Sequence, residues 1–344
     1  MITESESIAR WTWGRYTPAD QVLELSALSG ARSVLDVLVG LRLSDESVEA
    51  RVIVNQVGRS NVVLWDGTVV LSAGMSQSDM GRVVEDLRSK AIEGEVGSVT
   101  AFVYCTPTIV IGPEGRSERQ EKAIRFVASA RQLDEPHLSI SFETFTDAWL
   151  PFDLKGRPQK FVYAYNAPRL TAALDRISDL MDDEADPDTP TLFANASETG
   201  ILNDFKLNGD PADTWFFEVR RRNSIFQKND AESGFNRSTD GPVVYMPVIG
   251  EPGLLGYLWA SDAGSAMSFE PYWPEDAGYA AGLVWLDRIG RAYAGGMTPL
   301  RALEAMATYP DDPVSGKAIS GESREVSDLS ELYSMAIPNS YLDS

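Results

Sequence analysis

The chain offers one histidine and one cysteine for nucleophilic or metal chemistry. His137 opens an apolar run after Glu-Pro, which is typical of a surface or capping histidine, and Cys105 ends another run as a buried, inert thiol does. A serine or cysteine nucleophile needs a histidine base, and a structural zinc ion needs four Cys or His ligands. Glycine patterns that cradle phosphates are missing as well. We therefore expect no catalytic triad, no bound metal and no cofactor.

Carboxylates are abundant instead, with 51 Asp and Glu against 30 Lys and Arg. The densest group is the loop DDEADPD, whose acidic residues are Asp182, Asp183, Glu184, Asp186 and Asp188. The loop lacks the glycine and the final bidentate glutamate of a calcium loop, so we expect a solvated, charged surface. Paired carboxylates that hydrolyse glycosides cannot be picked out among so many acids, and carboxylate-based catalysis stays open as an alternative.

The negative charge is uneven along the chain. Residues 159–344 carry 14 basic and 29 acidic side chains, a net charge of −15, whereas residues 1–158 carry 16 and 22, a net charge of −6. Such a surface repels nucleic acid and anionic membranes, and it attracts a basic protein by long-range steering. Simple solubility is the alternative explanation for the same charge.

The sequence also indicates the cellular compartment of the protein. We find no run of eighteen apolar residues and no basic, apolar leader at the N-terminus, so we expect neither a transmembrane helix nor a signal peptide. A lone cysteine forms no internal disulfide, which suits a reducing environment. These features predict a cytoplasmic protein.

An aromatic loop with Tyr272 and Trp273 precedes a helix that begins near Glu275. Large aromatic side chains usually cover a hydrophobic core, but exposed ones anchor protein partners. We take Tyr272, Trp273 and Glu275, together with the acidic loop, as the candidate partner-binding residues.

The elements that position these residues combine helices with antiparallel strands. Turn residues between 243–249 and 254–259 predict a β-hairpin, with Pro247 at a sheet edge or a bulge. Asp66-Gly67 predicts a second hairpin turn, and periodicity predicts a helix over 118–133. The apolar residues of 215–222 predict a strand.

Three chain breakers in 147–158 mark a candidate domain junction. We therefore expect an α+β protein with mostly antiparallel sheets and packed helices, in two domains. The first spans 1–158, and the second spans 159–344 and ends in a loosely held tail.

Four segments, DAWLPFDLKGRPQ, DPDTPTLFANASETG, GYLWASDAG and EDAGYAAGLVWLDRI, resemble uncharacterised actinobacterial cytoplasmic proteins, some of which accompany secreted polymorphic toxins. They carry no catalytic motif. The resemblance implies an immunity-type role, in which a non-enzymatic protein occludes a basic toxin. Two alternatives remain: a hydrolase or transferase with carboxylate chemistry in an interdomain cleft, and a phage or structural scaffold protein.

Overall fold

The computed structural model describes residues 6–18, 21–112, 115–228, 234–273 and 276–337. It divides into two compact units, which we call the N-terminal unit (Met1–Trp215) and the C-terminal unit (Phe216–Ser344). Both units combine antiparallel sheets with packed helices, so the predicted α+β class is confirmed. No helix within the described ranges is long and apolar enough to cross a membrane.

The N-terminal unit contains eleven strands and three α-helices in its described part. In chain order they are β1 (Ala9–Tyr16), α1 (Leu23–Gly40), β2 (Ser47–Gln56), β3 (Arg59–Ser72), α2 (Gln77–Lys90), β4 (Val96–Cys105), β5 (Thr108–Val110), β6 (Ser117–Arg119), β7 (Ile124–Arg131), β8 (His137–Thr144), α3 (Lys160–Met181), β9 (Asp186–Pro187), β10 (Asn195–Ser197) and β11 (Gly200–Leu202).

A seven-stranded antiparallel sheet forms the centre of this unit, in the order β3-β2-β4-β7-β8-β1-β9. Side chains alternate between its two faces, and one set is buried under α1 and α3. Trp13 joins the two layers, since its indole N–H donates to the Ser178 hydroxyl on α3 at 2.9 Å. The other set faces away from these helices and forms the surface described below.

Helix α3 explains why the unit extends beyond the predicted junction at 158/159. Its buried residues Leu170, Leu174 and Ile177 belong to the same core as α1 and the sheet. The segment 160–215 therefore packs with the residues that precede it, and the division falls at 215/216.

Two predictions for this unit are wrong. Residues 118–133 form β6 and β7, because Phe126, Ala128 and Ala130 alternate into the core while β7 pairs with both β4 and β8. The pair Asp66-Gly67 lies inside β3, with Gly67 opposite Val52. The turn between β2 and β3 is made by 57–58 instead.

The C-terminal unit contains four helices and five strands in its described part. They are α4 (Trp215–Asn223), β12 (Val243–Gly250), β13 (Gly253–Ser261), β14 (Ala266–Pro271), α5 (Asp276–Ala294), α6 (Pro299–Met306), β15 (Lys317–Ala318), β16 (Arg324–Val326) and α7 (Leu329–Ala336).

The predicted hairpin of this unit is confirmed as β12 and β13. Pro247 lies in β12 between the residues that pair with β16 and those that pair with β15, beside a register shift at Val248/Ile249. A residue without an N–H is tolerated at such an interruption. The predicted strand over 215–222 is wrong, since this segment is α4, with Glu218 and Val219 on its buried side.

Candidate binding surface on the open face of the sheet

The face of the N-terminal sheet that lies opposite α1 and α3 is mainly polar and partly exposed. We call it the open face. Strand register sets its side chains in rows across the strands. Its central polar members are Arg10, Thr12, Tyr16, His137, Ser139, Ser141, Glu143, Arg125, Ser129, Arg131, Ser98, Thr100, Tyr104, Arg51 and Asn55. The half-buried apolar residues Ile53, Phe102 and Val127 lie among them.

One row is an ion-pair ladder. Glu143 is 4% exposed and accepts from the Arg125 guanidinium, with Nε to Oε2 at 2.8 Å, while Arg10 lies on its other side at 4.0 Å. Arg10 in turn donates to Asp188, with Nε to Oδ2 at 2.6 Å. The Thr189 backbone N–H and the Arg10 guanidinium both lower the pKa of Asp188. These ion pairs connect β7, β8 and β1 to Asp188 at the end of the acidic loop.

A second row carries hydroxyl groups, and the neighbouring row carries His137, which stands between Arg131 on β7 and Tyr16 on β1. The Thr100 and Ser129 hydroxyls are 3.1 Å apart, and the Ser139 hydroxyl donates to the Ser129 carbonyl at 3.4 Å. The His137 ring lies over Gly14, where a Cβ atom would be 2.7 Å from Nε2, and its ring centroid is 5.6 Å from that of Tyr16. The histidine is thus a surface residue at the start of β8.

The acidic loop lies along the outer edge of this face. Asp182 ends α3 in the left-handed conformation, with φ of 52°, and Asp183 accepts from the Gly14 N–H at 2.8 Å. Asp186 stands opposite Thr12 in β9, the last strand in the sheet order. Contacts with the β1 backbone therefore hold the loop against the sheet, while Asp182, Asp183, Glu184 and Asp186 are exposed.

Within the described ranges, no three Asp, Glu, His or Cys side chains are grouped closely enough to hold a metal ion. The loop therefore presents a negative surface along one sheet edge.

The aromatic candidates belong to the other unit. Tyr272 is half-buried, and Trp273 is 5% exposed with its ring 5.3 Å from that of Phe216. The Trp273 backbone N–H donates to the Ala336 carbonyl at 3.0 Å, which ties the loop to α7. Such a side chain has little surface to offer a partner. Glu275 lies outside the described residues.

Sequence reasoning missed the most perturbed acid of the C-terminal unit, Glu270 on β14. Its carboxyl is 2% exposed, and burial raises its pKa to about 8, against smaller opposing effects of Gln227 and Trp273. Burial and this carboxyl also raise the pKa of Tyr333 on α7 to about 12. The sequence pattern that could have indicated this buried acid is a single glutamate within the mainly apolar segment Ala-Met-Ser-Phe-Glu-Pro.

Cys105 lies fully buried at the end of β4, as an unpaired thiol. Burial raises its pKa to about 12. A thiol in this state is protonated at neutral pH and is a poor nucleophile.

Comparison of the chain with protein-family models, with curated proteins and with solved structures gives no match.

Proposed function

We propose that the protein is a non-enzymatic protein-binding module and that the acidic edge of its N-terminal sheet receives a basic partner. The supporting observation is the fixed row of exposed carboxylates at Asp182, Asp183, Glu184 and Asp186, beside the open face. Within this row Asp183 accepts from the Gly14 N–H, and the neighbouring Asp188 accepts from the Arg10 guanidinium. A pre-ordered surface loses little conformational entropy when it binds.

The charge of the whole unit supports the same partner class. Residues 1–215 carry 20 basic and 33 acidic side chains, a net charge of −13. A negative field of this size accelerates the approach of a positively charged protein and slows that of nucleic acid. More specifically, we propose that the protein is an immunity protein that covers the basic surface of a toxin.

The test neutralises the edge without altering its shape. The variant D182N/D183N/E184Q/D186N removes four charges and keeps a side-chain acceptor for the Gly14 N–H, and Asn is well tolerated in the left-handed conformation of residue 182. Proteins from the native host would be captured on the wild type and on this variant, and the captured partner would be titrated against both. We expect the variant to bind about tenfold more slowly at low salt.

A matched control removes four exposed carboxylates elsewhere in the same unit. The variant E85Q/E93Q/E118Q/E121Q has the same net charge as the edge variant but leaves β9 untouched. We expect it to keep most of the wild-type association rate. Equal losses in the two variants would show that the partner senses total charge only, and the proposal would then fail.

A further inference from the structure

A cavity of about 580 Å³ opens at one end of the open face, where β2, β4 and β7 reach their turns. This volume lies within the range of small-molecule sites in proteins. Its polar lining residues include Asn55, Arg59, Ser98, Arg131 and Gln132. Its wall contains no aspartate, no glutamate and no aromatic ring.

The cavity depends on a local irregularity of the sheet. The register of β2 shifts at Asn55/Gln56 against both of its neighbours, β3 and β4, which is a β-bulge. Gly58 follows with φ of 68°, and a Cβ atom at Gly97 would lie 2.4 Å from the Val57 Cα atom. Only glycine permits this approach of the two strands. Bulges of this kind redirect side chains and are frequent beside binding sites.

Two arginines line the cavity. Arg59 and Arg131 are exposed, and neither makes an ion pair or a side-chain hydrogen bond within the part of the chain that is described. The other arginines of the open face are all neutralised, Arg51 by Asp66, Arg125 by Glu143 and Arg10 by Asp188. Two arginines beside a wall that contains no carboxylate give the cavity a positive potential, which favours an anionic ligand.

The lining residues indicate which class of anion would bind in the cavity. Guanidinium groups bind phosphate through paired N–H donors. The amides of Asn55 and Gln132 and the hydroxyl of Ser98 supply further hydrogen bonds of the kind that sugar hydroxyls accept and donate. Without an aromatic ring, the cavity lacks the stacking partner that a nucleobase prefers.

We propose that this cavity binds a small phosphate-bearing molecule, with Arg59 and Arg131 holding the phosphate and the amide and hydroxyl groups contacting an attached polyol. The proposal is independent of the protein-binding role, because the acidic edge lies on the opposite flank of the sheet.

Isothermal titration calorimetry tests it with three probes: ribose 5-phosphate, inorganic phosphate and ribose. We expect saturable binding of ribose 5-phosphate, weaker binding of inorganic phosphate and none of ribose. The variant R59Q/R131Q should weaken ribose 5-phosphate binding by at least about tenfold. The variant R51Q removes a paired arginine from the same face and should leave the affinity within about twofold.

Because both arginines are exposed, R59Q/R131Q should retain the wild-type circular dichroism spectrum and melting temperature. Equal binding of inorganic phosphate and ribose 5-phosphate would retain the phosphate site and overturn the polyol contacts. The whole proposal is overturned if no phosphate-bearing probe saturates, if ribose binds as well as its phosphate, or if R59Q/R131Q binds like the wild type.

Discussion

The buried Glu270 carboxyl should make the C-terminal unit less stable as the pH rises. Its pKa lies at about 8 in the folded chain, compared with an ordinary value of 4.5. The folded state therefore holds this proton more tightly than the unfolded state does. The stabilisation is fully present below about pH 4.5 and is lost progressively as the pH rises to about 8.

The substitution Glu270→Gln isolates this effect. A glutamine has the same shape and remains uncharged at every pH, so the ionisation cost disappears while the contacts with Gln227 and Trp273 can persist. One pKa unit corresponds to about 1.4 kcal/mol, so a shift of this size amounts to between about 3 and about 5 kcal/mol. Relative to the wild type, the variant should gain about 1.4 kcal/mol of unfolding free energy per pH unit between about pH 5 and about pH 7.

Hydrogen exchange of the β13 and β14 amides measures this free energy in the C-terminal unit itself. The difference between variant and wild type cancels the contributions of all other titrating groups. Glu304→Gln removes one charge from an exposed position on α6, and its difference from the wild type should stay within about 0.5 kcal/mol at every pH. If the Glu270→Gln difference were also constant from about pH 5 to about pH 8, the carboxyl would not be buried in its protonated form.

Three further predictions concern the N-terminal unit. Glu143→Gln should cost about 2 to 4 kcal/mol of stability in denaturant titration, because Arg125 then lies beside a buried neutral amide, and a cost below about 0.5 kcal/mol would contradict the ladder. Cys105 should react with Ellman's reagent at pH 8 only after unfolding, since its pKa is raised to about 12, and rapid labelling of the native chain would contradict its burial. Gly97→Ala should destabilise the unit by more than about 2 kcal/mol, because the new Cβ atom meets backbone at Val57, and an unchanged melting temperature would argue against the bulge geometry.

The sequence was informative where local signals and long-range packing agree. The β12–β13 hairpin has two apolar runs around a turn, and the two strands pair as these runs predict. It was misleading for residues 118–133, whose alanines and charged residues favour a helix in isolation. There, pairing with β4 and β8 decides the conformation.

The two candidate surfaces also differ in how well the sequence predicts them. The acidic loop stands out in the sequence because its residues are consecutive. The cavity does not, because Asn55, Ser98 and Arg131 are distant in the chain and meet only through the register of three strands. The sequence likewise does not distinguish Glu270 from the other acids among the 51, because its burial depends on the residues that pack against β14.

The proposed protein-binding role is tested most directly by the salt dependence of partner association. The association rate constant of the captured partner would be measured by surface plasmon resonance from about 50 to about 500 mM NaCl for the wild type, D182N/D183N/E184Q/D186N and E85Q/E93Q/E118Q/E121Q. The account predicts a steep fall with salt for the wild type and for E85Q/E93Q/E118Q/E121Q, and a shallow one for the edge variant. Salt-independent association, or the same slope for all three proteins, would contradict it.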